Sequence, residues 1–229
     1  MTLDIKKQSF DVEGKTATLY LGESENSPLV VLNTFTGDGA SVVKAMRSLQ
    51  APDCSLLVVG NLRWDHDMTP WRCPPLSEDD TPCTGGAKDY LELLLGRIIP
   101  EARQTIGGSP AYTAIAGYSL AGLFAIWSMY QCGEFARVAS MSGSLWFPDF
   151  VEYATARRTV RTPERLYLSL GDEEARTNNA LLSTVADRTV ALAKHYRRQG
   201  IDVTYELNPG DHYQDAALRS AKGIVAILA

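Results

Sequence analysis

The chain has 229 residues, of which 45% are hydrophobic and 21% charged, a composition that excludes a disordered or fibrous protein. With 22 Lys and Arg against 27 Asp and Glu, the net charge is −5, so a nucleic acid is not an expected partner. No run approaches the roughly 20 apolar residues of a membrane-spanning helix, residues 1–10 do not resemble a secretion signal, and the four cysteines form no CxxC motif. We therefore expect a reduced, cytoplasmic protein without a membrane partner.

The first part of the chain predicts an antiparallel hairpin, because residues 3–10 and 15–21 alternate polar and apolar side chains around Glu13-Gly14. Short apolar runs follow, typical of strands that are covered on both faces, as in a parallel sheet. These runs are 28–33, 54–60, 112–116 and 137–141. Stretches with helical spacing of apolar residues lie between and after them, at 40–49, 87–99 and 120–132.

The second half continues the alternation, with strands predicted at 165–170 and 202–206 and helices at 179–199 and 216–228. Alternating strands and helices with short connections predict the α/β class. We expect one domain over residues 1–229, with a mostly parallel central sheet, the N-terminal antiparallel hairpin at one end and helices on both faces.

Residues 61–86 interrupt this pattern with 26 residues rich in Pro, Asp, Cys and Trp. A loop of that length inside a compact domain is usually functional or mobile. Because its two tryptophans would suit a solvated linker poorly, we predict that it is an active-site loop.

Ser119 lies where a strand pattern meets a helix pattern, in Gly117-Tyr118-Ser119-Leu120-Ala121. This is the G-x-S-x-G nucleophile elbow of α/β-hydrolases with alanine at its last position, and the tight turn requires small residues two before and two after the serine. The helix that begins at Leu120 directs its free N–H groups toward the reacting oxygen. The sequence therefore predicts Ser119 as a nucleophile; an inert serine in a glycine-rich turn is the alternative.

A serine nucleophile needs a base, and the chain has three histidines. His195 lies within the predicted helix 179–199 and His66 precedes the serine in the loop 61–86. His212 follows the last predicted strand, which is the position of the histidine in the Ser–acid–His order of α/β-hydrolases. We therefore predict His212 as the base.

The acid is expected after the strand that lies between the serine and the histidine, where Asp172, Glu173 and Glu174 follow one another. Spacing alone leaves all three open. An oxyanion hole needs two backbone N–H donors. We expect them from Leu120 and from the turn after residues 28–33, where Phe35 is preferred over Thr34.

With these residues assigned, the sequence resembles the esterase D family of α/β-hydrolases over almost the whole chain. GYSLAGLFA at 117–125 is similar to the elbow of a small bacterial branch of that family, in which glycine is usual at the position of Ala121. Similar segments follow the next strands: SMSGSLWFPDF at 140–150, GDEE at 171–174 and GDHYQD at 210–215. The resemblance implies kinship with siderophore ester hydrolases and with feruloyl and acetyl esterases. It favours Glu174 as the acid, with Asp172 as the alternative, although some siderophore-esterase relatives act with a Ser–His pair alone.

Aromatic and sulfur-containing side chains are predicted at the carboxyl edge of the sheet, where open α/β sheets bind ligands. They are Trp64, Met68 and Trp71 in the loop 61–86, and Trp146 and Phe147 after the sixth predicted strand. As substrate-binding residues they would suit an aryl or alkyl ester; alternatively, they pack the loop onto the body. The acids of the loop would disfavour an anionic substrate if they face the pocket, and Asp65-His66-Asp67 alone does not predict a metal site.

The sequence thus predicts a serine carboxylic ester hydrolase that forms an acyl-enzyme on a small or aromatic ester and needs no metal or other cofactor. An acyl thioesterase with the same groups is one alternative. A non-catalytic binding protein on the same fold is another. The sequence leaves the oligomeric state open.

Overall fold

The computed structural model describes residues 6–229, which form ten strands. In chain order these are β1 (Lys7–Val12), β2 (Lys15–Tyr20), β3 (Leu29–Asn33), β4 (Ser55–Gly60), β5 (Arg72–Cys73), β6 (Cys83–Thr84), β7 (Thr113–Tyr118), β8 (Phe135–Met141), β9 (Arg165–Gly171) and β10 (Asp202–Asn208). Eight of them form one sheet in the order β1-β2-β4-β3-β7-β8-β9-β10. The pairs β1–β2 and β2–β4 are antiparallel and the other neighbours in this sheet are parallel.

The same residues form eight α-helices. They are α1 (Ala40–Ser48), α2 (Trp64–Asp67), α3 (Ala87–Leu93), α4 (Ile99–Ile106), α5 (Leu120–Ser128), α6 (Phe150–Thr155), α7 (Val185–Arg198) and α8 (Ala216–Leu228). A π-helical segment, Leu94–Ile98, joins α3 to α4, and a 3₁₀ turn, Leu182–Thr184, precedes α7.

Both faces of the sheet are covered, which explains why its central strands are apolar throughout. Along β3, Val30 and Val31 are both fully buried but belong to two different hydrophobic clusters. Val30 packs in the cluster that contains residues of α1 and α8, and Val31 in the cluster that contains residues of α3, α4, α5 and α7. The predicted α/β-hydrolase architecture, a mostly parallel sheet with an antiparallel hairpin at its N-terminal end and helices on both faces, is confirmed.

Several boundaries differ from the prediction. The helix predicted at 87–99 continues to residue 106, as α3, the π-helical segment Leu94–Ile98 and α4 follow one another without a break. The predicted helix 120–132 ends at Ser128, and the predicted helix 179–199 is an α-helix only from Val185. Residues 3–5 of the first predicted strand lie outside the described residues.

The loop 61–86 contains short elements that its composition did not predict. Helix α2 lies at its start, and β5 and β6 form a small antiparallel pair that brings the free cysteines Cys73 and Cys83 opposite each other. The buried carboxylate of Asp67 pairs with Lys15 of β2 and accepts a 2.8 Å hydrogen bond from the Arg63 N–H. The loop is therefore tied to the main sheet at α2. Helix α6 was also absent from the prediction.

Candidate active site

Ser119 lies in a sharp turn between β7 and α5, with φ 60° and ψ −126°. A residue other than glycine at positive φ costs on the order of 1–3 kcal/mol and persists only where its surroundings enforce it. Here the enclosing backbone is very close: a Cβ on Gly117 would lie 2.1 Å from the carbonyl oxygen of Ala121. The turn therefore needs a glycine before the serine, as the steric reasoning from sequence expects, and it holds the hydroxyl at the carboxyl edge of the sheet.

A chain of hydrogen bonds connects three side chains that the sequence separates widely. Ser119 Oγ lies 3.1 Å from His212 Nε2, and His212 Nδ1 lies 2.8 Å from Glu174 Oε2. The second carboxylate oxygen of Glu174 accepts a 2.6 Å hydrogen bond from the Gly171 N–H. Because β7, β9 and β10 are parallel and end at the same edge, the residues that follow them meet there. The structure thus brings together the predicted nucleophile, base and acid.

The electrostatics of Glu174 favour its ionised form. Burial alone would raise the pKa of this carboxyl, but the hydrogen bonds from His212, the Gly171 N–H and Ser142 outweigh that effect and hold the pKa below its ordinary value. An ionised Glu174 can accept a hydrogen bond from the Nδ1–H group of His212, which leaves Nε2 without a proton and free to accept one from the Ser119 hydroxyl.

The two neighbouring acids do not contact His212. Asp172 Oδ1 accepts a 2.8 Å hydrogen bond from the Gly210 N–H, so this side chain connects the acid loop to the histidine loop through the backbone. Glu173 forms a 2.6 Å ion pair with Arg176 on the surface. The alternative acid Asp172 is therefore set aside, because its carboxylate is used in shaping the loop.

Two backbone N–H groups are available where the oxyanion donors are expected. Asn33 pairs with Gly117 in the sheet, so the turns that follow β3 and β7 are adjacent. The Thr34 N–H donates to the Val59 carbonyl at 3.0 Å and is not available. Within residues 6–229, neither Phe35 nor Leu120 donates a backbone hydrogen bond to a protein acceptor, and both can serve an oxyanion.

A cavity of about 420 Å³ opens above Ser119. Its walls come from the loop 61–86, the turn after β8, the acid loop, the start of α7 and the histidine loop. The lining side chains include Trp64, Asp65, Leu76, Asp80, Trp146, Leu182, Val185 and Tyr213. Loop 61–86 therefore forms one wall of this cavity.

Only part of the predicted substrate-binding set lies on this cavity. Trp64 and Trp146 line it, but Met68, Trp71 and Phe147 do not. Met68 and Phe147 are 0% exposed, because they pack into the main core. The prediction that these three bind substrate is corrected.

Trp71 packs the loop 61–86 onto the body of the protein and does not line the cavity. Its indole N–H donates to the Pro148 carbonyl at 3.1 Å, and its ring packs on Phe147 at 5.8 Å between centroids. The ring therefore holds the loop 61–86 on the segment after β8, which is the alternative that the sequence left open.

The sequence did not single out Tyr213, Leu182 or Val185, which also line the cavity. Tyr213 directly follows the histidine, and its ring lies edge-on to His212 at 5.4 Å. Leu182 and Val185 carried no signal, because they have the apolar spacing of any packed helix. Of these three residues, only Tyr213 could have been identified from the sequence, because it directly follows the predicted base.

The remaining histidines and the Asp65-His66-Asp67 segment have ordinary structural partners. His66 Nδ1 lies 2.6 Å from Thr84 Oγ1, and Asp65 accepts a hydrogen bond from Thr81. Half-buried His195 lies on α7, where its Nε2 is 3.0 Å from Gln199 Nε2. In the described part of the chain, no group of three or more His, Cys, Asp or Glu side chains is arranged to hold a metal ion.

Comparison with known proteins identifies the family. Residues 33–216 match the family model described as "Putative esterase", which covers well over half of the chain. The chain belongs to this family. Family membership supports hydrolysis of carboxylic esters and confirms the predicted resemblance to an esterase family with siderophore hydrolases among its structural relatives.

Individual relatives are distant in sequence. The uncharacterized protein YbbA of Bacillus subtilis (strain 168) is 24% identical over 177 residues, which are 72% of this chain and 71% of YbbA. An IroE-like serine hydrolase from Shewanella oneidensis superposes with a TM-score of 0.77 at 18% identity, covering 96% of this chain and 79% of that one. The siderophore hydrolase EstA of Aspergillus nidulans superposes with a TM-score of 0.74 at 17% identity, covering 96% and 92%. These similarities establish a common fold.

No helix among residues 6–229 is long and apolar enough to cross a membrane.

Proposed function

We propose that this esterase is a serine hydrolase that cleaves carboxylic esters through an acyl-enzyme on Ser119. The observation that carries the proposal is the unbroken hydrogen-bond chain from Ser119 Oγ through His212 to Glu174, at the floor of a cavity of about 420 Å³. A nucleophile within hydrogen-bond reach of a base, which a third group orients, is the arrangement that activates a serine hydroxyl.

In the first half of the reaction, Ser119 Oγ forms a bond to the ester carbonyl carbon while His212 Nε2 accepts the hydroxyl proton. The carbonyl oxygen becomes an oxyanion that accepts hydrogen bonds from the N–H groups of Leu120 and Phe35. The ester C–O bond then breaks, and His212 transfers its proton to the leaving alcohol. Glu174 stabilises the imidazolium while it exists.

In the second half, water enters the position that the alcohol has left. His212 accepts a proton from this water as its oxygen attacks the acyl carbon, and the same N–H groups hold the second oxyanion. Collapse of this intermediate breaks the bond to Ser119 Oγ, which recovers its proton from His212. The carboxylic acid is released, and the side chains, the backbone and water suffice for the cycle.

The cavity indicates the kind of ester. Trp64 and Trp146 provide flat apolar surface near the serine, which suits a small or aromatic acyl group. Asp65 and Asp80 place negative charge on the wall and disfavour a strongly anionic substrate. Asp67, which the sequence grouped with them, is buried in its ion pair and contributes none of this charge to the cavity. Because IroE-like and EstA proteins share the fold, siderophore esters belong among the candidates.

A substrate panel with matched variants tests the proposal. Purified protein is assayed on p-nitrophenyl esters, feruloyl esters, siderophore-type esters and acyl thioesters of equal chain length. We expect hydrolysis of at least one oxygen ester, with kcat reduced by roughly 10⁶-fold in Ser119→Ala. Ser128→Ala is the control, since Ser128 lies at the far end of α5 and donates to Ala125 O.

Equal activity of Ser119→Ala and the native protein would overturn the mechanism. A preference for thioesters over oxygen esters would keep the mechanism and favour the thioesterase alternative. No turnover of any ester, with no reaction of Ser119, would favour a binding protein.

A further inference from the structure

Arg219 is a buried arginine directly beneath the candidate active site. It lies on the first turn of α8, and its side chain is 1% exposed. The helix begins immediately after the histidine loop, so this side chain points back under that loop. Its Nη2 donates to the Pro209 carbonyl at 2.7 Å.

The other terminal nitrogen of Arg219 has three acceptors. Nη1 lies 3.3 Å from Glu174 Oε1, 3.2 Å from the Tyr118 hydroxyl and 3.3 Å from Ser142 Oγ. Tyr118 in turn donates its hydroxyl proton to the His212 carbonyl at 2.8 Å. One guanidinium therefore connects the residue before the nucleophile, the acid, the turn after β8 and the start of the histidine loop at Pro209.

The charge of Arg219 has one counter-charge among the residues that the structure describes. Glu174, whose side chain is 3% exposed, is the carboxylate within ion-pair distance of it. A charge that is removed from water is costly unless it is paired and hydrogen-bonded. Arg137, at the other end of α8, donates to the Ile227 and Ala229 carbonyls and pairs with Glu164, so its charge and its partners lie away from the candidate site. Pairing with Glu174 thus places a fixed positive charge on the side of the acid that faces away from His212.

We propose that Arg219 is a positioning residue, which holds the Glu174 carboxylate in the charge state and orientation that His212 requires. With Oε1 bound by Arg219 and the Gly171 N–H, Oε2 is left to face His212 Nδ1. This inference rests on the proposed function, since it assigns the acid a partner within that mechanism.

A pH effect follows from this geometry. Among the described residues, the charged or titratable groups that act on Glu174 include His212, Arg219, Tyr118 and, from β10, Tyr205. Removal of the Arg219 charge makes a proton on the His212–Glu174 pair more favourable. The pair must lose that proton for His212 to act as a base, so the acidic limb of the kcat/KM profile moves to higher pH.

The test compares Arg219→Met, which removes the charge at similar length, with Arg219→Lys, which keeps the charge but not the planar fork. Arg137→Met is the matched control. For Arg219→Met we expect a shift of the acidic limb by about 1 unit or more to higher pH, since an opposite charge at this range changes a pKa by about 1–3 units. We also expect equal falls in kcat and kcat/KM on the plateau.

For Arg219→Lys, the limb stays at the native pH while kcat falls, because an ammonium cannot hold Glu174 and Pro209 O together. Arg137→Met leaves both the limb and kcat unchanged.

Folding of each variant is checked by circular dichroism, and labelling of Ser119 in the native protein with a fluorophosphonate checks the nucleophile on which the inference rests. A folded Arg219→Met with the native acidic limb would overturn the proposal. If Arg219→Met does not fold, unchanged kcat in Arg219→Lys would overturn it. Absence of Ser119 labelling in the native protein is a different result, because it contradicts the proposed function itself.

Discussion

Exchange of Glu174 for glutamine tests whether this carboxylate stabilises the imidazolium that forms in the reaction. The exchange keeps the shape of the side chain and an oxygen for the Gly171 N–H, but it removes the negative charge. Glu174 Oε2 lies 2.8 Å from His212 Nδ1, which places the charge centres about 4 Å apart. At an effective dielectric constant of about 20, that separation corresponds to about 4 kcal/mol.

A loss of about 4 kcal/mol of transition-state stabilisation corresponds to a fall of about 10³-fold in kcat. Because the interaction develops only as the imidazolium forms, kcat and kcat/KM should fall by the same factor. Asp172→Asn is the matched control: it removes a carboxylate two residues away, and the amide oxygen can still accept from the Gly210 N–H. We expect native activity from it within a few fold.

Both variants are assayed with a p-nitrophenyl ester under steady-state conditions, and thermal unfolding shows that each is folded at the assay temperature. Equal and small losses in the two variants would refute the assignment of Glu174 and would indicate that the pair of Ser119 and His212 acts alone.

Other predictions follow from single contacts. Gly117→Ala would place a Cβ 2.1 Å from Ala121 O, so the turn must open; we expect a loss of about 1–3 kcal/mol in the free energy of unfolding and of nearly all esterase activity. Because the pKa of Glu174 in the folded protein lies below its ordinary value of 4.5, the ionised carboxylate stabilises the fold at pH values above 4.5, and this contribution is lost as the pH falls through the lower folded pKa. The free energy of unfolding, measured with urea between about pH 3 and 6, should therefore depend less steeply on pH in Glu174→Gln. Asp67→Asn breaks the buried ion pair between α2 and β2, and we expect about 3–5 kcal/mol of destabilisation together with a higher KM, because Trp64 of α2 lines the cavity.

Much of the fold could be predicted because the short apolar runs of its central strands are typical of strands that are covered on both faces. Of the stretch 54–60, residues Ser55–Gly60 form β4 and are buried, and residues 216–228 form α8 with the predicted boundaries. The π-helical segment Leu94–Ile98 could not be predicted, since a five-residue turn has no distinctive composition. The short elements of the loop 61–86 depend on contacts with distant residues, such as the ion pair of Asp67 with Lys15.

The residues of the candidate site also differ in how far the sequence could predict them. Ser119 and His212 are marked by local patterns, namely a strand–serine–helix junction and a histidine after the last strand. The acid is not marked, because Asp172, Glu173 and Glu174 are consecutive and only the course of the backbone decides which one reaches the histidine. The role of Trp71 and the buried position of Arg219 likewise depend on tertiary packing, which a sequence pattern does not report.

Covalent labelling of the native protein with a fluorophosphonate, followed by mass spectrometry of its peptides, tests most directly whether Ser119 is an activated nucleophile. We predict one adduct per chain, located on Ser119, which is absent in Ser119→Ala and forms much more slowly in His212→Ala. An adduct on another serine, or a native protein that stays unmodified while folded, would contradict that role for Ser119.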